Sequence, residues 1–286
     1  MTSVATISSG LAVGRDIDYG TDDFDRLTDL LHRIAGIRMP PSNEALVFSR
    51  LSRRVRELNL ARFSDYAALV EAPENKEERD VMVAALTTNT TRFFREAYHF
   101  EMLEREIVPE LAKRAQNGER IRLWSAACST GEEPYSIAAI VYKIFPEAAG
   151  YDFRILATDI NRNVLGVAET AEYPQACLES VPKELQPQMF VAADGERLRI
   201  RPELRSLVTF RYMNFMDPWP VRGPFDAIFC RNVMIYMEEE VQARVWSGLA
   251  SVLMPGGHLF IGHSERIGAE FKDQLQLVGK TTFRRI

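Results

Sequence analysis

The feature that most constrains the fold is an alternation of strand and helix patterns that begins after Asn117-Gly118. Residues 121–124 have the pattern of a strand, residues 132–145 of a helix, residues 151–157 of a second strand and residues 161–169 of a second helix. Strands that alternate with helices pair in parallel through right-handed crossovers. This part of the chain therefore predicts an α/β fold.

The alternation is interrupted once before it ends. Further strands are predicted at residues 207–212, 225–230, 257–262 and 281–285. Between residues 173 and 205 the alternation of strand and helix breaks, and residues 197–201 alternate at period two after the turn Asp194-Gly195. We therefore predict a small β insertion, at about residues 173–206, in an α/β domain that spans residues 119–286.

The first part of the chain has a different character. Four helices are predicted there, at residues 21–34, 43–58, 64–71 and 76–86. Nothing in this part has the pattern of a strand, so residues 21–88 predict a small all-helical domain. Residues 89–118 predict a linker that leads into a helix. Residues 1–20 are rich in Ser, Gly and Thr without periodicity, which predicts a disordered leader.

Composition excludes several classes of protein. The 286 residues carry a net charge of −5, which argues against a surface covered in nucleic-acid-binding charge. The three cysteines form no CxxC pair or His/Cys cluster, so no metal site is predicted. No apolar run reaches the ~18 residues of a membrane span, and the N-terminus does not have the pattern of a signal peptide. These features predict a cytoplasmic protein that does not insert into a membrane.

The loop after the first strand of the α/β domain indicates the kind of ligand. Ligands of open α/β sheets bind beyond the carboxyl ends of the strands. Here the strand is followed by Ser129-Thr130-Gly131, and Glu132 and Glu133 open the next helix. A phosphate-binding loop would have more glycines and no acids at the helix start. The carboxylates instead suit a ligand that has a cationic centre and no phosphate.

A second acid follows the next strand. Asp159 lies 28 residues after Gly131, a spacing that fits a strand–helix–strand unit, and an acid there can accept hydrogen bonds from ribose hydroxyls. A nucleoside with a cationic group and no phosphate points to S-adenosylmethionine. In the alternative interpretation Asp159 only caps the following helix and Glu133 only complements the dipole of its own helix.

Two further strand ends carry polar residues. Asn214-Phe215 follows one strand, where groups that contact adenine would lie, and Asn232-Val233 follows the next, where side chains would face the transferred group. In the alternative interpretation both asparagines serve turns.

Several motifs together resemble one family. They are Asn89-x-Thr91-x-x-x-Arg95, STGEEPYS at residues 129–136, Asp159, and FDAIFCRNVMIY at residues 225–236. From about residue 20 to the end, the chain resembles CheR-type chemotaxis receptor methyltransferases. The resemblance implies a Rossmann-like class I methyltransferase sheet that transfers methyl groups from S-adenosylmethionine to receptor glutamates, leaving S-adenosylhomocysteine.

The resemblance also assigns site residues. The family's cofactor contacts fall on Asn89, Thr91, Arg95, Glu133, Asp159, Asn214, Phe215, Asn232 and Val233. Arg95 and Tyr236 are the family positions closest to methyl transfer. A carboxylate acceptor is already a nucleophile at neutral pH, so the site needs positioning and exclusion of water rather than a strong base. In the alternative interpretation Arg95 forms a salt bridge with Glu96 or Glu101, and Tyr236 only packs.

A basic helix indicates how the acceptor docks. Arg50, Arg53, Arg54 and Arg56 give the second helix a concentrated positive charge in an acidic chain. The family implies acidic methylation helices in the cytoplasmic part of a chemoreceptor, which such a charge would attract. RNA or phosphate binding, or a solvated helix face, are the alternatives.

Three further expectations concern the mode of action. Family members that tether to a receptor tail carry a longer, glycine-rich loop, whereas the hairpin at residues 191–197 has a single glycine, so we expect a tether-independent enzyme. We also expect a monomer. Two alternative functions are an inactive adaptor that senses S-adenosylmethionine, and a methyltransferase that acts on RNA or a small molecule.

Overall fold

The computed structural model describes residues 17–286. The first sixteen residues of the predicted leader lie outside the described residues. The last four are ordered, because the Tyr19 ring packs 4.5 Å from that of Phe63 and the Asp18 amide donates to the Ala61 carbonyl. The prediction of disorder is therefore wrong for residues 17–20.

The helices follow the periodicity of the sequence. Their bounds are α1 Thr21–Ala35, α2 Glu44–Glu57, α3 Phe63–Glu71, α4 Lys76–Leu86, α5 Ala97–Met102, α6 Val108–Gln116, α7 Glu132–Ile144, α8 Arg162–Thr170, α9 Gln186–Met189, α10 Pro202–Arg205 and α11 Glu239–Val252. A π-helical turn, Leu103–Ile107, joins α5 to α6. Helix α11 was not among the predicted elements.

The ten strands found within residues 17–286 form two sheets. Their bounds are β1 Ile121–Ala126, β2 Phe153–Asp159, β3 Glu172–Pro174, β4 Phe190–Ala192, β5 Arg197–Ile200, β6 Val208–Tyr212, β7 Phe225–Cys230, β8 Leu253–Ile261, β9 Leu275–Gly279 and β10 Thr282–Arg285. The large sheet has the order β6-β2-β1-β7-β8-β10-β9 and the small one β3-β5-β4. Strand β9, at one edge, was not predicted.

The described chain divides into two compact units. The first comprises residues 17–30 and 40–86, and the second residues 31–39 and 87–286. In the first unit α2 and α3 both pack against α4. Val47, Leu51 and Val55 are fully buried because a spacing of four residues places them on one face of α2.

The second unit is the α/β fold that the alternation predicts. Strands β6, β2, β1, β7 and β8 pair in parallel, and β10 and β9 add an antiparallel hairpin. All six residues of β7 are buried. Leu123 and Trp124 lie in separate apolar cores because successive side chains of a strand point to opposite faces. The segment 89–118, predicted as a linker and a helix, belongs to this unit.

The small sheet lies between α8 and β6 in the sequence. Strand β5 pairs antiparallel with both β3 and β4, and Gly195 adopts a positive φ of 67° in the β4–β5 turn. Within residues 17–286, no helix has the length and apolar character that crossing a bilayer requires.

Candidate functional site

The loop between β1 and α7 requires a glycine at its last position. Gly131 precedes α7 with a φ of 95°. A β-carbon at this position would lie 2.8 Å from the Ala168 β-carbon and 2.9 Å from the Tyr173 hydroxyl oxygen. Both the backbone conformation and the close approach of α8 therefore exclude a side chain here.

We predict that Gly131→Ala destabilises the fold by roughly 1–3 kcal/mol, because the new methyl group both clashes and strains the backbone. Urea denaturation gives the free energy of unfolding, and calorimetry should also show weaker binding of S-adenosylhomocysteine. Gly150→Ala is the matched control, since a β-carbon at that position would have no other atom within 4 Å. Equal stability of the two variants would contradict this account of the loop.

Asp159 ties the second strand end to this loop. Its Oδ2 accepts from the Ser129 amide at 2.8 Å and its Oδ1 from the Asn161 amide at 2.9 Å. The cap of α8 is Asn161, whose side chain accepts from the amides of Asn163 and Val164. Burial raises the pKa of Asp159, and hydrogen bonds from backbone amides partly oppose this shift. A carboxylate has about four acceptor positions, so capacity remains for two ribose hydroxyls.

Asn89 reaches the same loop from the other side. The backbone carbonyl oxygen of Asn89 accepts from the Ser129 hydroxyl at 2.8 Å. Ser129 thus connects Asn89 to Asp159, and these three residues form what we call the Ser129 network. The positive φ of Ser129, 51°, shows that the loop backbone is strained to make these contacts.

Glu133 is committed to protein partners. Its Oε1 accepts from the Ser125 hydroxyl at 2.7 Å, and its Oε2 from Arg231 at 2.9 Å. Burial raises its pKa, while Arg231 and Ser125 act in the opposite direction. Arg231 therefore compensates the negative charge of Glu133, and this weakens the expectation that Glu133 attracts a cationic ligand directly.

Arg231 joins three segments at the centre of the site. Its side chain is only 2% exposed. Besides Glu133, it contacts the Glu96 carboxylate at 3.3 Å and donates to the carbonyl of Arg95. This arginine follows β7 directly, so it fixes the segment around Arg95 against the carboxyl end of the sheet. We call Arg231, Glu133, Glu96, Arg95 and Asn232 the Arg231 network.

Glu96 is the second centre of this network. Its carboxylate accepts from the Asn232 side chain at 3.3 Å, the His263 amide at 3.2 Å and the Tyr98 hydroxyl at 3.0 Å. Burial opposes ionisation of Glu96, but the charge of Arg231 and the hydrogen bonds from the side chain and amide of His263 and from Asn232 outweigh it and lower the pKa to about 2. The carboxylate therefore stays charged and holds the ends of β7 and β8 to the segment that contains Arg95.

Backbone strain concentrates on these loops. Among non-glycine residues with positive φ are Phe94, Glu96, Ala127, Ser129 and Asn232. Two of them flank Arg95, and the others lie at the ends of β1 and β7. Such conformations persist only where surrounding contacts hold them, and they often mark functional sites.

The remaining site residues near the linker have fewer partners. Arg95 is partly exposed, and its Nη1 donates to the Thr90 carbonyl at 3.0 Å. Within residues 17–286 it forms no ion pair, so the alternative salt bridge with Glu96 or Glu101 is not observed. Thr91 is also partly exposed. Both side chains can therefore turn to a ligand.

Asn214 and Phe215 follow β6. The Asn214 side chain donates to the Ile34 carbonyl at 2.7 Å and accepts from the Met216 amide at 3.0 Å, so it shapes a turn. Phe215 packs against Trp219 with ring centroids 5.6 Å apart. Neither residue contacts the Ser129 network or the Arg231 network through the described hydrogen bonds.

Glu265 holds the backbone of the segment that follows β7. This buried carboxylate accepts from the amides of Val233 and Met234, each at 2.8 Å, and of Gly262 at 2.5 Å. Tyr236 is partly exposed, and its backbone carbonyl accepts from the Arg38 amide at 2.8 Å. Among the described residues its hydroxyl has no hydrogen-bond partner, so it is available to an acceptor.

Five of the ten predicted cofactor and catalytic residues thus fall in one of these two networks. Asn89 and Asp159 share the Ser129 network, whereas Glu133, Arg95 and Asn232 share the Arg231 network. Glu96, Arg231 and Glu265 were not among the predicted site residues. Arg231 lies within the quoted motif at residues 225–236, and Glu96 directly follows Arg95, so their positions indicated that they lie near the site. The sequence did not indicate which residues form ion pairs with them.

The predicted docking arginines lie in the other unit and differ from each other. Arg50 donates to the Leu86 carbonyl at 2.7 Å, and Arg54 pairs with Glu78 at 2.5 Å. These two stabilise the helical unit. Arg53 is 89% exposed and pairs with Glu57 at 2.8 Å. Arg56 is exposed and forms no ion pair within the described residues.

The site has the chemistry that S-adenosylmethionine requires. Asp159 offers acceptors for a ribose, and the acids Glu132 and Asp159 disfavour a phosphate beside the loop. The nitrogen Nε of Arg231 is buried without a hydrogen-bond partner in the described chain. A polar ligand at the end of β7 would satisfy such a group.

Comparison with known proteins supports this assignment. The family described as "CheR methyltransferase, SAM binding domain" matches residues 89–284, and "CheR methyltransferase, all-alpha domain" matches residues 22–87. A probable chemotaxis protein methyltransferase of Rhizobium etli is 44% identical over 89% of this chain and 96% of its own length.

Two more relatives have the same kind of name. Chemotaxis protein methyltransferase 2 of Pseudomonas aeruginosa is 39% identical, over 94% of this chain and 95% of its own length. The chemotaxis protein methyltransferase of Escherichia coli is 38% identical, over 91% of this chain and 89% of its own length. The matches extend across both units.

Proposed function

Because this chain belongs to the CheR methyltransferase family, we propose that it methylates glutamate side chains on the cytoplasmic helices of a chemoreceptor. The observation that supports this most is the convergence of the Ser129 and Arg231 networks at the carboxyl ends of β1, β2 and β7. The enzyme acts in the cytoplasm, where these receptor helices lie, and it acts as a monomer.

S-adenosylmethionine supplies a methyl group on a positively charged sulfur, and the neutral S-adenosylhomocysteine leaves after transfer. The residues of this chain bind and orient. Asp159 accepts from the ribose hydroxyls, while Asn89 and Thr91 line the approach from the linker. Asn214-Phe215 and Asn232-Val233 contribute the walls on the side of β6 and β7.

Arg95 and Tyr236 serve the acceptor. A guanidinium matches a carboxylate through two parallel hydrogen bonds, so Arg95 can orient the carboxylate of the acceptor or of the cofactor. The hydroxyl of Tyr236 can donate to the acceptor oxygen that is not methylated. Neither residue removes a proton, because an ionised glutamate already carries the attacking lone pair.

The decisive experiment is methyl transfer from radiolabelled S-adenosylmethionine to a purified receptor cytoplasmic domain. Base-labile label on receptor glutamates is the expected result. Cofactor binding without any transfer would favour an inactive adaptor, and label on RNA alone would favour a nucleic-acid methyltransferase. The receptor should be tested with and without its C-terminal tail. Equal rates are expected, because the β4–β5 hairpin has a single glycine.

The docking role can be tested on Arg53 and Arg56, because the stability of the helical unit depends on Arg50 and Arg54 instead. We expect Arg53→Glu with Arg56→Glu to lower kcat/KM for receptor by at least ~10-fold, since both changes place repulsive charge before an acidic helix. Affinity for S-adenosylhomocysteine should stay the same. Lys183→Glu with Lys272→Glu is the charge-matched control on exposed residues of the other unit. An equal effect of both pairs would show general charge repulsion instead of docking.

A further inference from the structure

A groove lies at the amino-terminal edge of the large sheet, opposite the edge that carries Asp159. It has a volume of about 400 Å³, and Arg120, Arg122, Arg154 and Arg222 line it. Apolar side chains line it as well, among them Leu156, Val221 and Phe225. No step of the proposed methyl transfer uses these residues.

The register of the sheet places two of the arginines on one face. Arg122 of β1 pairs directly with Arg154 of β2 in the parallel ladder. Arg120 directly precedes β1, and its side chain also lines the groove. Arg222 enters from the segment between β6 and β7.

One carboxylate serves this cluster. Asp152 pairs with Arg122 at 2.5 Å, and it is 57% exposed. Arg154 donates through Nη1 to the carbonyls of Tyr151 and Phe153, which orients the guanidinium without neutralising it. Within residues 17–286, Arg120, Arg154 and Arg222 form no ion pair. Among the described residues, the four guanidiniums thus share one ion pair, in a chain whose net charge is −5.

The chemistry of the groove fits a phosphate. Guanidinium groups bind phosphate oxygens in pairs and also stack on planar aromatic rings. The volume lies within the range of small-molecule sites, and the apolar lining offers a surface for a base.

We propose that this groove binds a phosphate-bearing metabolite, whose source is either a nucleotide or an inorganic polyphosphate. Its position at the far edge of the sheet makes it separate from the site for S-adenosylmethionine. The proposal rests on the groove alone and stands or falls independently of the methyl-transfer function.

The test is calorimetry on the full chain at low ionic strength, with ATP and inorganic tripolyphosphate as probes and S-adenosylhomocysteine present in excess. At least one probe should bind. Arg154→Glu with Arg222→Glu should weaken that binding by at least ~10-fold, because two charge-assisted contacts are reversed in sign. The control, Lys183→Glu with Lys272→Glu, should leave it unchanged. Methyl transfer without added phosphate should be normal in both double variants.

The probes distinguish the two sources. Tighter binding of ATP supports a nucleotide whose base uses the apolar lining, and equal or tighter binding of tripolyphosphate supports an inorganic polyphosphate. Binding of neither probe overturns the proposal, as does binding that the arginine substitutions leave intact. Binding of polyglutamate, but of neither phosphate probe, also overturns it, because the groove would then be a surface for an acidic protein.

Discussion

Arg231→Met should destabilise the α/β unit by roughly 3–5 kcal/mol, the usual cost of breaking a buried ion pair by removing one partner. The substitution leaves the buried carboxylates of Glu96 and Glu133 without their shared cation. It also frees the carbonyl of Arg95, so cofactor binding and methyl transfer should fall as well. Urea denaturation followed by circular dichroism measures the first effect, and calorimetry with S-adenosylhomocysteine the second.

A compensating variant separates charge from packing. Adding Glu96→Gln and Glu133→Gln to Arg231→Met removes the uncompensated charges, so the triple variant should regain part of the lost stability. Arg105→Met, on the π-helical turn and exposed, is the matched control for loss of one arginine. A loss below ~1 kcal/mol for Arg231→Met would show that Arg231 does not hold the site together.

Asp159→Ala should weaken the binding of S-adenosylhomocysteine by at least ~100-fold, since each hydrogen bond to a charged group contributes about 1.5–3 kcal/mol. The ribose would lose its charged acceptor. The loop would also lose the contact between Asp159 and the Ser129 amide. Calorimetry gives the affinity, and the free energy of unfolding shows whether the fold has survived.

Asp159→Asn refines this result. It keeps one acceptor oxygen for the backbone but removes the charge, so it should bind more weakly than the wild type and more tightly than Asp159→Ala. The exposed Asp273→Ala is the control for a generic loss of an acid. Unchanged affinity in Asp159→Ala would exclude Asp159 from the ribose site and reduce it to a link between two loops.

The helices and strands that could be predicted are those that bury apolar side chains at a regular spacing. The predicted helix at residues 76–86 is α4, and the predicted strand at residues 225–230 is β7. Strand β9 was missed because it lies at the edge of the sheet with Leu277 62% exposed, so its sequence lacks the signature of burial. Residues 17–20 were assigned to a leader because their sequence has no periodicity. In the structure a single aromatic side chain, that of Tyr19, anchors them.

The sequence predicted the kind of ligand that the site binds, but not which site residues contact each other. Acids at two strand ends indicated a ligand without phosphate, and the motifs indicated which family. Local sequence could not show that Arg231 neutralises Glu133, because the two residues are 98 positions apart and meet only when β7 pairs beside β1. Likewise, Arg50 and Arg54 were predicted to dock a partner because local sequence does not show that α2 packs against α4, which gives them partners within the helical unit.

The sequence was sufficient to predict the helical and α/β parts of the chain and the location of the site at the carboxyl ends of the strands. It also indicated a nucleoside with a cationic centre. These features could be predicted because periodicity and residue type act locally. Folding decided which charges remain available. Ion pairs and hydrogen bonds join residues distant in the chain, so only the packed structure shows that Glu96 and Arg231 hold Arg95. For the same reason, only the register of β1 and β2 reveals the arginine groove at the opposite edge.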